Sequence, residues 1–137
     1  MNKNITVSLT SVQWQDGEKT STELITEAVY KKEDGSWVIS YEDSEATGFA
    51  GSVTTLKVDD GKNACIIRQG TANSVLSLEM GRKHFCQYGT PFGSFQIGIY
   101  THAINNTLDK NGELYMKYTL DLNSSYLSDN EIILKIQ

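Results

Sequence analysis

The stretch that decides the fold runs from Tyr88 to Ile104 and reads YGTPFGSFQIGIYTHAI. It begins with a turn around Pro91, the only proline of the chain, which has glycines nearby on both sides. Behind the turn, Phe95, Ile97 and Ile99 alternate with Gln96, Gly98 and Tyr100. Such alternation between apolar and polar residues is typical of a β-strand with one buried face. We therefore expect this strand to belong to a sheet that covers an apolar interior.

The same two-residue rhythm recurs along most of the chain. Its longest run carries Leu114, Met116, Tyr118, Leu120 and Leu122. Because side chains at every second position of a strand share a face, we expect all five to enter one interior. The segment from Ser21 to Glu33 could pass for a helix, but its threonines, Val29 and Tyr30 favour a strand, so no helix of three turns is expected.

The predicted turns lie at Gly, Asn and Asp residues. Asp34-Gly35 separates two strand-like segments, and Asp-Gly is a preferred pair in two-residue type I′ hairpin turns. Asp59-Asp60-Gly61 predicts a second hairpin. The polar segments 15–20 and 123–130 are interpreted as longer loops.

These signals predict about ten short strands joined by short connections. Short connections imply antiparallel neighbours, because a parallel crossover needs a dozen residues or more. An open sheet of this size would expose two edges, which closure into a barrel removes. We therefore predict one all-β domain over residues 1–137, folded as a closed or nearly closed antiparallel β-barrel.

Composition excludes several classes of function. The 137 residues suffice for one core without metal or disulfide support. A net charge of −5 argues against binding to nucleic acid or to an anionic membrane, because both need a basic face. No apolar run approaches the ~20 residues of a membrane helix, and the N-terminal segment has no secretory pattern. We expect a cytoplasmic protein without a cofactor, since the glycines around Pro91 lack a phosphate-loop motif.

The two cysteines, Cys65 and Cys86, are expected to be free thiols. They fall on strands separated by a third strand, which places their Cα atoms about 10 Å apart. A disulfide needs less than about 7 Å. A metal site is not expected either, because His84 and His102 lack the spacing of metal ligands.

Several short motifs resemble the YwiB-like family of small bacterial proteins with a calycin-like, lipocalin-like β-barrel. The resemblance extends from about Val7 to Ile136 and implies the barrel, but no activity. The motifs are Thr54-Thr55-Leu56, Arg68-x-Gly70, Tyr88-x-Thr90-Pro91-x-Gly93-x-Phe95, Gly112-x-Leu114, Tyr118-x-Leu120 and the segment from Asn130 to Ile136.

The first strand departs from the wider lipocalin pattern. Lipocalins have a glycine two residues before a tryptophan on this strand, whereas here Val12 precedes Trp14. Binding of retinoid-type or odorant-type ligands is therefore not implied. The same two residues break the alternation, which predicts a bulge or the end of the strand.

Arg68 has the most specific chemistry of the candidate residues, and the parity of its strand leaves two interpretations open. If Ile66 faces the interior, Arg68 does too; if Ile67 does, Arg68 is solvated outside. An interior guanidinium needs a partner, because an unpaired buried charge is costly. It would be either a clamp for a ligand carboxylate or phosphate, or a structural residue paired with Glu79, Glu45 or a carbonyl.

The leading functional hypothesis is a module that binds a small amphipathic or anionic molecule inside the barrel. Aromatic walls are common in such sites, although Tyr41 and its neighbours would equally serve to fill a barrel. Arg68 would supply charge to the ligand. The other predicted ligand contacts are Tyr88, Thr90, Tyr118, Phe95, Trp37 and His84.

The first alternative function is an enzyme, a hydrolase or an isomerase, that uses His84, Arg68 and Tyr88. These groups would have to converge within about 3 to 4 Å of a common point. No adjacent residue supplies a nucleophile with an orienting carboxylate, so packing and hydrogen bonding are the favoured roles, and we assign no catalytic residue.

The second alternative function is an interaction protein without a ligand. An edge strand or the outward residues Ile25, Val29 and Val53 would then support a homo-oligomer. Such an interface would need to bury more than about 1,000 Å².

Overall fold

Ten β-strands form one antiparallel sheet in the part of the chain that the structure describes. The structure is a computed structural model that describes residues 3–45, 50–59, 62–71, 73–90 and 93–137, with the backbone alone at 88–90 and 93–94. The strands are β1 (Lys3–Gln15), β2 (Glu18–Glu33), β3 (Ser36–Glu42), β4 (Ser52–Val58), β5 (Asn63–Gly70), β6 (Ser74–Glu79), β7 (Lys83–Thr90), β8 (Gly93–Thr107), β9 (Glu113–Leu122) and β10 (Ser125–Ile136).

The order of strands in the sheet is β6-β5-β4-β3-β2-β1-β10-β9-β8-β7. All neighbours are consecutive in the chain except β1 and β10, which pair from Val7↔Ile136 to Trp14↔Asp129. The segment that follows edge strand β6 contacts β8, the neighbour of edge strand β7. The contacts are a bridge between Met80 and Thr101 and a hydrogen bond of 3.0 Å from the amide of Gly81 to the carbonyl of Thr101. The predicted nearly closed antiparallel barrel is thus confirmed.

Three of the connections are two-residue turns whose central residues have positive φ. Asp34 and Gly35 have φ of 51° and 80°, as the sequence predicts for a type I′ turn. Asp16-Gly17 and Asn123-Ser124 make the same kind of connection. The central residues of the predicted turns at Asp60-Gly61 and at Pro91 lie outside the described residues.

The predictions for the first strand and for two loops were wrong. β1 continues to Gln15 in unbroken register with β2 and β10. Val12 lies on the opposite face from Leu9 and is nevertheless buried. The sequence therefore loses its alternation of apolar and polar residues at this point, although the strand itself continues. The expected loops at 15–20 and 123–130 are short turns followed by strands, because their polar residues occupy paired strand positions.

The bulges lie instead in β8 and β10, on the two strands that flank β9. One register shift falls between Thr101 and Ala103, and the other between Tyr126 and Ser128. The alternating residues of β9 were predicted to face the interior. Leu114 and Met116 do so, since they are 0% and 1% exposed.

The barrel interior is packed at one end and polar at the other. A fully apolar row crosses β3 to β6 in register and consists of Trp37, Val58, Ala64 and Leu78, all buried. Four residues further along the same strands, about 13 Å away, the equivalent row is Tyr41, Thr54, Arg68 and Ser74. Among the described residues, no helix is long and apolar enough to cross a membrane.

The β2–β3 turn provides a direct test of how the sequence selects the hairpin. A Cβ at Gly35 would meet no atom within 4 Å, so its φ of +80° is the only obstacle to a side chain. We expect Gly35→Ala to lower the free energy of unfolding by about 1 kcal/mol. Asp34→Asn should change it by less than about 0.5 kcal/mol, because asparagine tolerates this region. Urea unfolding measures both, and equal stability of Gly35→Ala and wild type would contradict the expectation.

Candidate ligand-binding site

A cavity of about 290 Å³ lies inside the barrel, towards the end where the interior is polar. Strands from both halves of the sheet line it, so the site exists only when the sheet is curled. Its apolar wall is formed by Leu9, Leu56, Ile66, Leu76, Leu120 and Ile132. Its polar lining includes Ser11, Gln13, Thr20, Thr22, Tyr41, Arg68, Tyr118 and Asn130.

Arg68 faces the interior, which resolves the parity that the sequence left open. Its alternation partner Ile66 is 4% exposed, and both residues line the cavity. The Nε of Arg68 donates a hydrogen bond of 3.1 Å to Oγ1 of Thr54, its cross-strand neighbour. The same nitrogen lies 3.5 Å from Oδ2 of Asp43.

Asp43 is the internal counter-ion that sequence reasoning missed. Its side chain is 0% exposed, whereas that of Arg68 is 18% exposed. Thr54 connects the two charges, since its hydroxyl donates a hydrogen bond of 2.6 Å to Oδ2 of Asp43. The signal in the sequence was the alternation Trp37, Ile39, Tyr41, which places Asp43 on the same inner face.

Tyr118 and Tyr41 place two buried phenols at the cavity. Burial raises the pKa of each to about 12, and for Tyr41 the negative charge of Asp43 adds to the effect. Both phenols are therefore protonated at neutral pH. Tyr118 is only 8% exposed and lines the cavity.

A second polar row crosses the opposite part of the sheet. In register it joins Thr101, Tyr118, Asn130, Gln13 and Thr20 on β8, β9, β10, β1 and β2. The amide nitrogen of Asn130 donates a hydrogen bond of 3.0 Å to the hydroxyl of Ser128. Sequence reasoning did not select Asn130, although the alternation that continues to Ile132 and Leu134 places it on the inner face.

Three of the other predicted ligand contacts, Trp37, His84 and Phe95, do not line the cavity. Trp37 stacks on Tyr30 with ring centroids 4.3 Å apart, at the apolar end of the interior. His84 is hydrogen-bonded through Nε2 to Oε1 of Glu79 at 2.9 Å and is about one-third exposed. Phe95 is partly buried on β8. The side chains of Tyr88 and Thr90 lie outside the described residues.

A gap in the barrel wall lies beside the cavity. A cleft of about 340 Å³ occurs between β5–β6 and β7, and its lining includes Ser74 and Cys86. Arg68 lines both this cleft and the interior cavity. It therefore lies between the cavity and the gap.

The cysteines and histidines form no metal site among the described residues. Cys65 and Cys86 are free thiols, and burial raises the pKa of both. Cys65 is opposite Ser77 in the β5–β6 pair and alternates with buried Ala64 and Ile66, whereas Cys86 packs against the core. Their side chains thus lie on opposite faces of the sheet.

His102 belongs to a network on the outer face. Its Nε2 lies 2.6 Å from Oγ1 of Thr119, whose hydroxyl donates to Oδ1 of Asp129 at 2.5 Å. The bonds from Thr119 and from Tyr126 lower the pKa of Asp129. Because the hydroxyl proton is directed to the carboxylate and not to the imidazole, this is not the geometry of an activated nucleophile.

The buried pair of Arg68 and Asp43 should be important for stability. Arg68→Met removes a cation beside a fully buried carboxylate, and we expect the free energy of unfolding to fall by about 3 kcal/mol. Asp43→Asn should act in the same direction. The double variant should lose less than the sum of the single losses, with a coupling of about 1 to 3 kcal/mol in urea unfolding.

The matched control is the surface ion pair between Lys31 and Glu33, whose side chains are 43% and 52% exposed. Lys31→Met should cost less than about 1 kcal/mol because water screens that pair. Equal losses for Arg68→Met and Lys31→Met would show that the interior pair contributes no more than a surface pair.

The two buried phenols predict a loss of stability in alkali. Their pKa is about 12 in the folded chain and about 10 when unfolded. The folded state therefore keeps phenolic protons that the unfolded state has lost. Their contribution is complete below about pH 10 and disappears as the pH rises towards 12.

Tyr118→Phe removes one of these protons. Between pH 10 and 12 we expect its free energy of unfolding to fall less steeply than that of wild type, by about 1.4 kcal/mol per pH unit. Urea titrations at several pH values measure the two slopes. Parallel curves for wild type and Tyr118→Phe would contradict the buried state of this phenol.

Comparisons with known proteins agree with the architecture. A family model described as a domain of unknown function, DUF1934, matches residues 7–134. The crystal structure of the YwiB protein from Bacillus subtilis superimposes with a TM-score of 0.76 at 20% identity, over 99% of this chain and 93% of that one. At this identity the likeness shows the fold alone. No curated protein matches the chain.

Proposed function

For this chain, which belongs to the DUF1934 family of domains of unknown function, we propose that the barrel binds a small amphipathic molecule in its interior cavity. The cavity volume of about 290 Å³ lies at the lower end of the roughly 300 to 1,000 Å³ found for small-molecule sites. An apolar wall with a few polar groups is the usual composition of such a site.

The observation that carries the proposal is the phenol of Tyr118, which lines the cavity. A tyrosine in such a position offers an apolar ring and a hydroxyl that can hydrogen-bond to a ligand. A polar group of a ligand would bind to this hydroxyl, with Asn130 and Arg68 in the same lining as further partners.

The charges favour a ligand whose polar group is uncharged or zwitterionic. Asp43 already faces Arg68 at 3.5 Å, so the two formal charges cancel. The phenols of Tyr41 and Tyr118 are neutral at physiological pH, because their pKa is raised to about 12. An anionic head would approach a fully buried carboxylate and would have to compete with it for the guanidinium.

The apolar part of the ligand would contact the wall formed by Leu56, Ile66 and Leu120. Trp37 belongs to the packed end of the barrel, so its role would be to stabilise the interior and not to contact the ligand. Phe95, Tyr88 and Thr90 remain predicted contacts at the junction of β7 and β8.

An enzymatic function has less support. Of the three groups that it requires, His84 pairs with Glu79, while Arg68 pairs with Thr54 and Asp43. Arg68 lines the interior cavity and His84 does not, so the two groups do not converge on a shared point there. Binding is therefore the function that we propose.

Two fluorescent probes test both the site and its charge preference. N-phenyl-1-naphthylamine is uncharged, and 1-anilinonaphthalene-8-sulfonate is its anionic analogue of similar shape. We expect the uncharged probe to bind with the lower Kd, since the anionic one meets Asp43. Ser11→Phe fills the cavity and should raise the Kd of the uncharged probe at least about tenfold, or 1.4 kcal/mol.

Thr10→Phe is the matched control, because Thr10 is adjacent on β1 and directs its side chain to the outer face. It should leave the Kd unchanged. Loss of binding in both variants, or in neither, would contradict an interior site. Tighter binding of the anionic probe would contradict the charge preference alone.

A further inference from the structure

In the part of the chain that the structure describes, one edge of β2 has no neighbouring strand over most of its length. β2 pairs with β1 along the whole strand, from Glu18 to Tyr30. Its other neighbour, β3, pairs with it only from Ala28 to Glu33. Within the described residues, the segment 18–27 therefore has a strand on one side only.

The turn geometry identifies the backbone groups that face this edge. In a two-residue hairpin the residues that flank the turn are hydrogen-bonded to each other, and hydrogen-bonded positions then recur at every second residue. Gln15 and Glu18 flank the first turn, so the even-numbered residues of β2 bond to β1. The odd-numbered residues direct their N–H and C=O groups to the open edge, and Glu33 bonds to β3 in this way.

The odd-numbered residues of the open segment also have exposed side chains. They are Lys19, Ser21, Glu23, Ile25 and Glu27, and Ile25 is 71% exposed. Proteins usually protect such an edge with charged side chains, a proline, a bulge or a very short strand. This segment carries charges of both signs, but it contains no proline and its register with β1 is unbroken.

We propose that this edge pairs with the same edge of a second copy of the chain, in antiparallel orientation about a two-fold axis at Ser21. In this register Lys19 of each copy lies opposite Glu23 of the other, so that two opposite-charge pairs form. Centring the pairing on Glu23 would place that carboxylate against itself. Centring it on Ile25 would oppose Glu23 to Glu27 twice, and like charges directly opposite are destabilising.

The second copy would also complete the cavity. Thr20 and Thr22 line the interior site from the inner face of this open segment. In the proposed register Thr20 lies opposite Thr22 of the partner subunit, and threonine pairs of this kind are favourable across strands. In the dimer, the polar lining of the cavity would continue into the second subunit. The segment that contains Thr20 and Thr22 would then belong to both the ligand site and the dimer interface.

Charge reversal on β2 tests the register. Sedimentation equilibrium of the full chain, up to about 1 mM, should detect a dimer. Lys19→Glu and Glu23→Lys should each raise the dissociation constant at least about tenfold, and the double variant Lys19→Glu/Glu23→Lys should restore it to within about threefold of wild type. Lys57→Glu, on the exposed outer face of β4, is the control that should change nothing.

Ser21→Pro tests the backbone pairing. Its N–H faces the open edge, so the monomer loses no hydrogen bond of the sheet, while the dimer loses the bonds at its centre. The variant should be folded by circular dichroism and monomeric. A wild type that stays monomeric at all concentrations, or a Ser21→Pro variant that still dimerises, would overturn the proposal. Failure of the double reversal to restore the dimer would overturn the register, and none of these outcomes depends on a ligand.

Discussion

The pairing of β1 with β10 is the constraint on which the rest of the structure depends. It is the one contact between neighbouring strands from opposite ends of the chain, and it joins the meander β1–β6 to the meander β7–β10. Without it, the described strands would form two open sheets, each with an uncovered apolar face. With it, the edges of the combined sheet meet near Met80 and Thr101, and the apolar faces enclose one interior.

The enclosed interior then requires polar groups to find partners or to face a cavity. At one end the rows are apolar and pack directly, as around Trp37 and Leu78. At the other end Arg68 is tolerated because Asp43 and Thr54 lie within 3.5 Å and 3.1 Å of its Nε. Side chains of this kind do not fill space as tightly as a packed apolar core. The cavity lies at this end, which explains why the candidate site and the internal ion pair coincide.

The differences in strand length determine what is left accessible. β2 has 16 residues and β3 has 7, so one edge of β2 extends beyond its neighbour. β6 has 6 residues, and a cleft lined by Arg68 and Cys86 lies beside it. The first feature is the edge proposed for a second copy, and the second is a gap beside the cavity. Both lie next to the polar end of the interior, so the proposed ligand site and the proposed dimer edge involve the same region.

The sequence by itself determined the strands, their antiparallel order and the closed form of the sheet, because alternation and Asp-Gly turns are local signals with a definite physical meaning. It also determined that Tyr118 faces inward, since the run from Leu114 to Leu122 has a single phase. Only the tertiary structure decided the face of Arg68, because Ile66 and Ile67 make its strand apolar on both parities. Only the tertiary structure identified Asp43 as the partner of Arg68 and placed Asn130 opposite Tyr118. These contacts depend on which strands become neighbours when the sheet curls, and on the register between them.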